Sequence, residues 1–362
     1  MTLRAAIVLQ LLTACSTAPG YTWDLPEGMP APTVPVDNPM SQAKAELGRH
    51  LFYDERLSVD GDMSCASCHQ QELAFTDGRP RGIGTTGEIH PRGAMSLTNI
   101  AYVPRLTWAH PDLDRLEHQA LAPLFGDDPV EMGMADHEDE LILTLATDPD
   151  TVTRFQAAFP DDDSPLTVPN IVRAIATFER TLVSFDSPYD RYQAGDTDAL
   201  EPAAIRGMEL FMSERLECFH CHGGPTFSDA LTHDKLPAAE VAFHNTGLYD
   251  VDGSGAYPAP NTGLHALTGR PEDMGRFRAP TLRNIEVTGP YMHDGSVETL
   301  DEVLDHYANG GRAGSSSPLK SEFVSGFVLS NTERSDVIAF LHSLTDRGFL
   351  TDPRFADPEV TP

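Results

Sequence analysis

Two short stretches of the chain carry a pair of cysteines three positions apart, with a histidine directly after the second. They are Cys65, Cys68 and His69 in MSCASCHQQ, and Cys218, Cys221 and His222 in LECFHCHGG. This spacing is typical of covalent c-type haem attachment, in which the two thiols add across the haem vinyl groups and the histidine ligates the iron. The sequence therefore predicts two covalently bound c-type haems.

The competing interpretations of these motifs are a zinc site and a redox dithiol. Paired zinc motifs usually lie within about twenty residues of each other and do not require a histidine at the same offset twice. The chain has five cysteines, and the fifth, Cys15, lies near the N-terminus, so none is left for a structural disulfide. Haem attachment explains this use of cysteine better than either alternative.

The first fifteen residues are typical of a secretory signal. They contain one arginine and an apolar run that is too short to span a bilayer, and the tetrad Leu12-Thr13-Ala14-Cys15 resembles the bacterial lipobox. We predict a signal peptide over 1–15 and a periplasmic or cell-envelope protein whose only membrane attachment is a lipid on Cys15. The alternative is an ordinary signal peptide that contains a cysteine by chance.

The charge of the chain disfavours nucleic acid as a partner. There are 55 acidic and 25 basic residues, which gives a formal net charge of -30, and no cluster of lysine and arginine occurs. A protein that tracks a phosphate backbone needs such a cluster. The acidic surface would attract basic partners, although solubility alone also explains it.

The remaining pattern predicts a mostly α fold with long irregular loops. After a proline-rich lead over 16–39, helical segments precede each cysteine motif, and strand-like alternation is scarce. A polar, turn-rich stretch at 187–202 separates the motifs. We predict two cytochrome c-like helical domains, 40–190 and 200–362, each with one covalent haem.

Two core helices have clear sequence signals. Residues 167–185 place apolar side chains on one stripe, with Pro169 in the first turn. Near the C-terminus, Ser330 and Glu333 form a capping box before a second apolar stripe. Both segments are expected to bury one face in a domain core.

Several further motifs follow one another in order through both halves of the chain. They are LGRHLFYDERLSVDGDMSCASCHQQELAFTDG, RLTW, LEHQALAPLFGDDPVEMG and GRFRAPTLRNIEVTGPYMHDGS. From about residue 40 to the end, this series resembles the bacterial di-haem cytochrome c peroxidase and MauG superfamily. The segments TTGEIHPRGAMSLTN and FHNTGLYD are most similar to the MauG-like branch that includes MbnH, whose members use peroxide to oxidise a tryptophan on a partner protein.

The resemblance implies roles for three residues near the first haem. Glu131 matches the distal acid that handles protons at the peroxide-binding haem, and Gln119 matches a distal glutamine. Trp108 matches the tryptophan that relays electrons between the haems. Without the surrounding motifs, Glu131 would be one more exposed acid and Trp108 a core aromatic.

The resemblance also suggests that the first haem is open. Peroxidases that need reductive activation carry a histidine which caps the first iron, and the matching position here is Thr85. Threonine is a poor iron ligand. His90, five residues on, could reach the iron if the loop folds differently, although a satisfied loop histidine is the simpler interpretation.

The second haem is expected to have a tyrosine ligand. Tyr307 falls where cytochrome c peroxidases have methionine and MauG-type enzymes have tyrosine. A phenolate stabilises the higher oxidation states of iron, whereas a thioether favours the ferrous state. The rival ligands are His306, Met292 and Met274.

Members of the family also bind one calcium ion between the haems. Thr288 and Pro290 match positions that give backbone carbonyls, but Gly93 stands where the family has an asparagine. A flexible shell of carbonyls and waters could still hold calcium.

These implications combine into one leading hypothesis and two rivals. The leading hypothesis is an exported peroxidase that reduces hydrogen peroxide and uses the resulting high-valent pair of haems to oxidise a partner protein. The rivals are a conventional peroxidase fed by a small redox protein, such as a cytochrome c or a cupredoxin, and a non-enzymatic electron carrier. Glu131 and Gln119 argue against the carrier, and Tyr307 argues against the conventional peroxidase.

Overall fold

The computed structural model describes residues 21–312 and 317–360. In these ranges the regular structure is helical, and β-structure is limited to isolated bridges. The α-helices are α1 (Gln42–Phe52), α2 (Cys65–Cys68), α3 (Leu116–Gln119), α4 (Leu121–Phe125), α5 (Glu138–Ala146), α6 (Pro149–Ala158), α7 (Val168–Thr181), α8 (Pro188–Gln193), α9 (Pro202–Phe211), α10 (His265–Thr268), α11 (Leu300–Ala308) and α12 (Asn331–His342). The prediction of a mostly α fold is confirmed, and the predicted signal peptide and lipobox lie outside the described residues.

The first core forms where α1 crosses α7. At the crossing, a Cβ added to Gly48 would lie 1.9 Å from the carbonyl oxygen of Ala174, so only glycine allows the two backbones to approach this closely. The fully buried rings of Phe52 and Phe178 pack edge to face beside it, with ring centroids 5.2 Å apart. Helices α3 and α6 pack against the same pair and complete the core.

The second core repeats this arrangement with α9 and α12. A Cβ on Gly207 would lie 1.9 Å from the carbonyl oxygen of Asp336. The rings of Phe211, Phe227 and Phe340 fill the space beside the crossing. In both halves, the glycine-bearing helix precedes the cysteine motif, and the helix that crosses it comes much later in the chain.

Two smaller features also occur once in each half. Phe75 and Phe227 follow the two cysteine motifs and have left-handed backbones, with φ of 61° and 51°. Asn99 and Asn284 are left-handed as well, and each begins a short 3-10 helix. A non-glycine residue in this region is uncommon, so two matching pairs support duplication of one structural module.

The helix predicted from Ser330 is confirmed, and the helix predicted over 167–185 is present but ends at Thr181. Helix α7 begins after Thr167, whose side chain accepts a hydrogen bond from the backbone N–H of Asn170. Helix α12 begins after Ser330, with the reciprocal capping box to Glu333. None of the helices in the described ranges has the length and apolar character needed to cross a membrane.

The stretch between the two motifs is more ordered than its polar sequence suggests. It contains α8, which begins with a capping box from Ser187 to Asp190. The buried guanidinium of Arg283 makes two hydrogen bonds to the Asp190 carboxylate, at 2.7 and 2.8 Å, and stacks 4.5 Å from the ring centre of Phe185. This pair attaches α8 to the second half.

The last part of the chain returns to the first core. Phe349, Leu350 and Phe355 are buried there. The side chain of Gln71 donates to the carbonyl oxygen of Phe349 at 3.0 Å, and the hydroxyl of Tyr53 donates to that of Phe355 at 2.8 Å. A segment that the sequence predicts within the C-terminal domain therefore packs against the N-terminal half.

Candidate active site

A large cavity opens beside α2 in the first half. Its empty volume is ≈ 1470 Å³, which includes the space at its open mouth. Its lining includes Cys65, Cys68 and His69. Both cysteines are free thiols, and burial raises the pKa of Cys68 to about 11. The residues predicted to attach the first haem therefore face one common cavity.

The ring of His69 is oriented for ligation. Its Nδ1–H donates to the carbonyl oxygen of Phe75 at 2.7 Å, which leaves the lone pair on Nε2. The left-handed backbone of Phe75 belongs to the turn that brings this carbonyl back to the histidine. Burial lowers the pKa of His69, which favours the neutral ring that binds a metal.

The second cavity has the same construction. It has an empty volume of ≈ 1290 Å³, and Cys218, Cys221 and His222 contribute to its lining. The Nδ1–H of His222 donates to the carbonyl oxygen of Phe227 at 3.2 Å, and burial lowers its pKa. Both histidines are thus fixed by a carbonyl in the turn that follows their motif.

A buried arginine supports a haem in each cavity. Arg278 contributes to the lining of both and is only 4% exposed. Burial lowers its pKa to about 10, and no carboxylate within 21–312 and 317–360 forms an ion pair with it. A buried cation of this kind needs an anion nearby, which the propionate groups of a haem would supply.

Trp108 lies at the junction of the two cavities and contributes to the lining of each. Its indole Nε1–H donates to the carbonyl oxygen of Gly93 at 2.9 Å, and its own carbonyl accepts from the backbone N–H of Arg278 at 2.8 Å. These bonds fix the indole where an electron relay between the haems would have to lie.

Glu131 and Gln119 both contribute to the lining of the first cavity. The Glu131 side chain is 38% exposed toward this space, and burial of the carboxyl raises its pKa. Its backbone carbonyl accepts from the N–H of Thr85 at 2.8 Å, which couples its position to the preceding loop. The arrangement places a proton-accepting group and an amide in the cavity that holds His69.

Thr85 and His90 occupy different surroundings in this loop. The hydroxyl of Thr85 donates to Asp62 at 2.8 Å, on the exposed side of the loop. His90 faces the first cavity, with Nδ1 lying 3.2 Å from both the backbone N and the carbonyl O of Arg92, and Nε2 3.7 Å from Oε1 of Glu131. The histidine thus stands beside the distal acid.

Tyr307 lies in the second cavity with His222. Within the described residues, no hydrogen bond reaches its hydroxyl. Burial raises its pKa, so a phenolate there would need a cation such as ferric iron.

Two of the three rival ligands, His306 and Met274, do not contribute to the lining of the second cavity. The Nε2–H of His306 donates to the carbonyl oxygen of Thr246 at 3.0 Å, and the sulfur of Met274 accepts from the backbone N–H of Tyr257 at 3.5 Å. Met292 does contribute to the lining of the second cavity.

The residues named for calcium surround a smaller cavity between the other two. Thr288, Pro290 and Gly93 contribute to its lining. Asp77 also faces it, is 7% exposed, and has a buried Oδ2 with no hydrogen-bond partner in the described residues. An unpaired carboxylate oxygen beside carbonyls is the kind of donor that calcium takes.

Glu179 is a site residue that the motifs did not identify. It contributes to the lining of the first cavity, is 6% exposed, and has an unpartnered Oε2. Burial raises its pKa to about 8, which favours its neutral form. The sequence does contain a signal for this residue. Glu179 lies four residues after Ile175 and therefore on the apolar face of its helix.

Comparison with known proteins identifies the family. A model of the di-haem cytochrome c peroxidase family matches residues 42–198. The chain is 34% identical over 379 residues to the cytochrome-c peroxidase IdrP1 of Pseudomonas sp., covering 99% of this chain and 96% of that protein. It is also 34% identical over 321 residues to the methylamine utilization protein MauG of Methylorubrum extorquens, covering 88% and 82%. The chain belongs to the di-haem cytochrome c peroxidase family, a family of enzymes with two c-type haems.

Solved structures agree with this assignment. The crystal structure of a MauG-like protein associated with microbial copper homeostasis has a TM-score of 0.91 and 50% identity, covering 93% of this chain and 99% of that chain. The diheme peroxidase BthA from Burkholderia thailandensis shares the fold, with a TM-score of 0.66 at 21% identity over 88% of this chain and 90% of that chain. The resemblance to the superfamily and its MauG-like branch is confirmed.

Proposed function

We propose that this peroxidase is exported and uses the oxidising equivalents of hydrogen peroxide to remove electrons from a partner protein, with tryptophan among the candidate targets. The observation that carries the proposal is the position of Tyr307 in the second cavity. There it shares the lining with His222, and two of its three rivals, His306 and Met274, do not contribute to that lining.

The residues that would hold the two haems fall into two matching sets. They are Cys65, Cys68 and His69 in the first cavity, and Cys218, Cys221, His222 and Tyr307 in the second. When bound, the haems supply the redox chemistry, since their irons store the oxidising equivalents that peroxide reduction releases. The protein supplies positions, proton transfer and the route between the cavities.

Glu131 is proposed to move the peroxide proton. As a carboxylate, it accepts a proton from one oxygen of hydrogen peroxide and returns it to the other, which leaves as water. Burial raises the pKa of Glu131 toward neutral pH. A carboxyl group with such a pKa serves better as a base in one step and as an acid in the next. Gln119 would orient the peroxide by hydrogen bonding from the same cavity.

Tyr307 would determine where the oxidising equivalents go. A phenolate ligand favours oxidised iron, so the second haem would share the oxidising equivalents. Trp108, fixed by Gly93 at the junction of the cavities, is proposed to carry electrons between them. The pair could then withdraw electrons from a protein too large to enter either cavity.

The second candidate is a conventional peroxidase that takes electrons from a small cytochrome c or cupredoxin. It is favoured by relatives named as cytochrome c peroxidases, including IdrP1. Met292 in the lining of the second cavity is the structural feature that agrees with it, because a methionine ligand raises the potential of a haem.

One experiment separates the two candidates. The isolated protein with both haems ferric is mixed with hydrogen peroxide in a stopped-flow spectrometer, without any reductant. We expect rapid spectral changes at both haems, because the first is open and the second tolerates oxidation. If the protein reacts only after one-electron reduction, the conventional peroxidase is the better account.

The proposal also covers location and partner. Residues 1–15 predict export and a lipid on Cys15, which is testable by mass spectrometry of the mature N-terminus. The MauG-like relative is associated with microbial copper homeostasis. We therefore expect exported proteins involved in copper handling to be the first candidates for the oxidised partner.

We further propose that one calcium ion occupies the cavity between the haems. Asp77 could replace the side-chain oxygen that Gly93 lacks, alongside the carbonyls of Thr288 and Pro290. Metal analysis after dialysis against a chelator should show one calcium lost per chain in the wild type. Asp77→Ala should weaken calcium binding, and wild-type affinity in that variant would exclude the role of Asp77.

A further inference from the structure

A series of aromatic rings runs outward from the junction of the two cavities. It begins at Trp108, whose ring centroid lies 6.5 Å from that of His293. The ring of His293 lies 6.2 Å from that of Tyr257, and Tyr257 lies 5.5 Å from Tyr249. Trp108, Tyr257 and Tyr249 belong to one packed cluster, so the series is continuous.

The two tyrosines differ in burial and in the partner of the hydroxyl. Tyr257 is 4% exposed, and its hydroxyl donates to the amide oxygen of Asn245 at 3.0 Å. Tyr249 is partly exposed, and its hydroxyl donates to Oδ2 of Asp294 at 2.6 Å. Only the outer tyrosine therefore has a carboxylate as its proton acceptor.

The proton acceptor of each hydroxyl determines which of the two tyrosines can retain an oxidising equivalent. A tyrosine that loses one electron becomes strongly acidic and gives up its phenol proton. Asp294 can take that proton, because its Oδ2 already accepts the hydrogen bond from the Tyr249 hydroxyl at 2.6 Å. The amide oxygen of Asn245 is a far weaker base, so Tyr257 can pass an equivalent on but cannot retain it.

We propose that Trp108, Tyr257 and Tyr249 form a path along which oxidising equivalents leave the di-haem centre, and that Tyr249 is the surface residue at which the partner protein is oxidised. The inference rests on the proposed function, because peroxide must first be reduced in the first cavity. It adds the exit residue and its proton acceptor, Asp294.

The transfer balances in electrons and protons. When one equivalent reaches Tyr249, its ring loses an electron to the path and its phenol proton moves to Asp294. An electron from an aromatic side chain of the partner then restores Tyr249, which takes the proton back. Two such passages supply the two electrons that, with two protons, reduce one hydrogen peroxide to two waters.

The surface beside Tyr249 indicates the kind of partner. Val251 is 63% exposed, and Asp252 beside it is also exposed, while the guanidinium of Arg312 lies 5.3 Å from the centre of the Tyr249 ring. The whole chain carries a net charge of -30. We infer a partner that presents an oxidisable aromatic side chain with basic residues nearby.

The test uses the holoenzyme, hydrogen peroxide and a nitroxide radical scavenger, without partner or reductant. Peptide mapping by mass spectrometry locates the scavenger adducts. We expect an adduct at Tyr249 in the wild type, its loss in Tyr249→Phe, and a fall in Tyr257→Phe to the level found at Tyr192. Tyr192 is the matched control, since it is also partly exposed but lies on α8 outside the cluster.

A second variant tests the same proposal if the Tyr249→Phe protein misfolds. Asp294→Asn keeps the Tyr249 ring and removes the proton acceptor, so the adduct should be lost while both haem spectra are retained. Tyr192→Phe should leave the Tyr249 adduct unchanged.

Peroxide consumption, measured in the same samples, separates the two possible failures. If peroxide is consumed and no adduct forms at Tyr249, or the adduct persists at the wild-type level in Tyr257→Phe, the path is wrong and the proposed function stands. If the wild type consumes no peroxide, the proposed function fails and the path fails with it.

Discussion

The Nε2 atom of His90 lies 3.7 Å from Oε1 of Glu131, inside the cavity that contains His69. The other ring nitrogen of His90 is held by the backbone of Arg92. Burial raises the pKa of Glu131 and lowers that of His90, so both groups shift toward their neutral forms. Two titratable groups therefore face each other next to the proposed site of peroxide reduction.

Glu131→Gln should retain both haems and lose most peroxide reactivity. The amide cannot accept the peroxide proton, and a positioned acid or base contributes on the order of 10²-fold or more. Stopped-flow absorbance gives the rate, and haem staining with intact mass gives the haem content. An unchanged rate in this variant would remove Glu131 from the mechanism.

The pH dependence of the wild type should reflect the raised pKa of Glu131. The carboxylate is the form that accepts the peroxide proton, so the rate should fall as the pH falls through this pKa. Because burial raises it, the inflection should lie above the ordinary glutamate value of 4.5. A rate that stays level down to that value would show that another group accepts the proton.

His90→Gln should slow the peroxide reaction less than Glu131→Gln does. The separation of 3.7 Å exceeds a hydrogen bond, so His90 assists Glu131 rather than holding it in place. The spectrum of the resting first haem should not change, because the side chain faces Glu131 and the backbone of Arg92. A change in iron ligation in this variant would instead identify His90 as a ligand.

Tyr307→Met should raise the reduction potential of the second haem and abolish oxidation of a partner protein, because methionine favours reduced iron. Potentiometric titration measures the first effect, and stopped-flow absorbance with Mössbauer spectra shows how long the oxidised product lasts. His306→Gln is the matched control, since His306 is bonded to Thr246 and should leave the second haem unaltered. Identical spectra for Tyr307→Met and wild type would make Tyr307 a packing residue.

Arg180→Met should destabilise the first half. The buried carboxylate of Glu117 lies 2.8 Å from Arg180, with side-chain exposures of 6% and 4%, and breaking such a pair costs about 3–5 kcal/mol. Denaturant unfolding measures this difference. Arg191→Met removes an exposed pair with Asp186 and should cost no more than about 1 kcal/mol.

The loss of unfolding free energy caused by Arg180→Met should depend on pH. The pKa of Glu117 is lowered in the folded protein, chiefly by Arg180 working against desolvation. Its contribution to stability is therefore present above the ordinary pKa and is lost as the pH falls through the lowered value. The difference in unfolding free energy between Arg180→Met and the wild type should become smaller in acid. A difference that persists in acid would indicate that the substitution acts through lost packing.

Gly48→Ala and Gly207→Ala should each disturb one half of the molecule. The added methyl group would lie 1.9 Å from a backbone carbonyl, and overpacking of this kind costs about 1–3 kcal/mol or more. Gly48→Ala should broaden the spectrum of the first haem, and Gly207→Ala that of the second. If each variant perturbs both haems equally, the two helical domains do not behave as separate units.

The sequence predicts the features whose chemistry is local. A cysteine pair with an adjacent histidine needs no fold to be recognised, and the capping residues Thr167 and Ser330 act within one turn of the helices that they begin. The roles predicted for Trp108 and Glu131 rest on the ordered motifs that surround them. In each case the signal and the structure lie in the same short stretch of chain.

The remaining features depend on contacts between distant parts of the chain. Helix α8 lies in a stretch that looks like a polar linker, and its attachment depends on Arg283, far along the sequence. The position of His90 beside Glu131 depends on how two loops pack, which periodicity cannot show. The path from Trp108 to Tyr249 joins segments that only the folded chain brings together.

The packing of Phe349 and Phe355 on the first core affects the order in which the molecule matures. The ribosome makes the residues around His69 early, but the core beside them is complete only after the final segment has been synthesised and has crossed back over α1. We therefore expect the half that contains His69 to become competent last, although it is translated first. A chain that ends early would carry its first haem in an unfinished pocket.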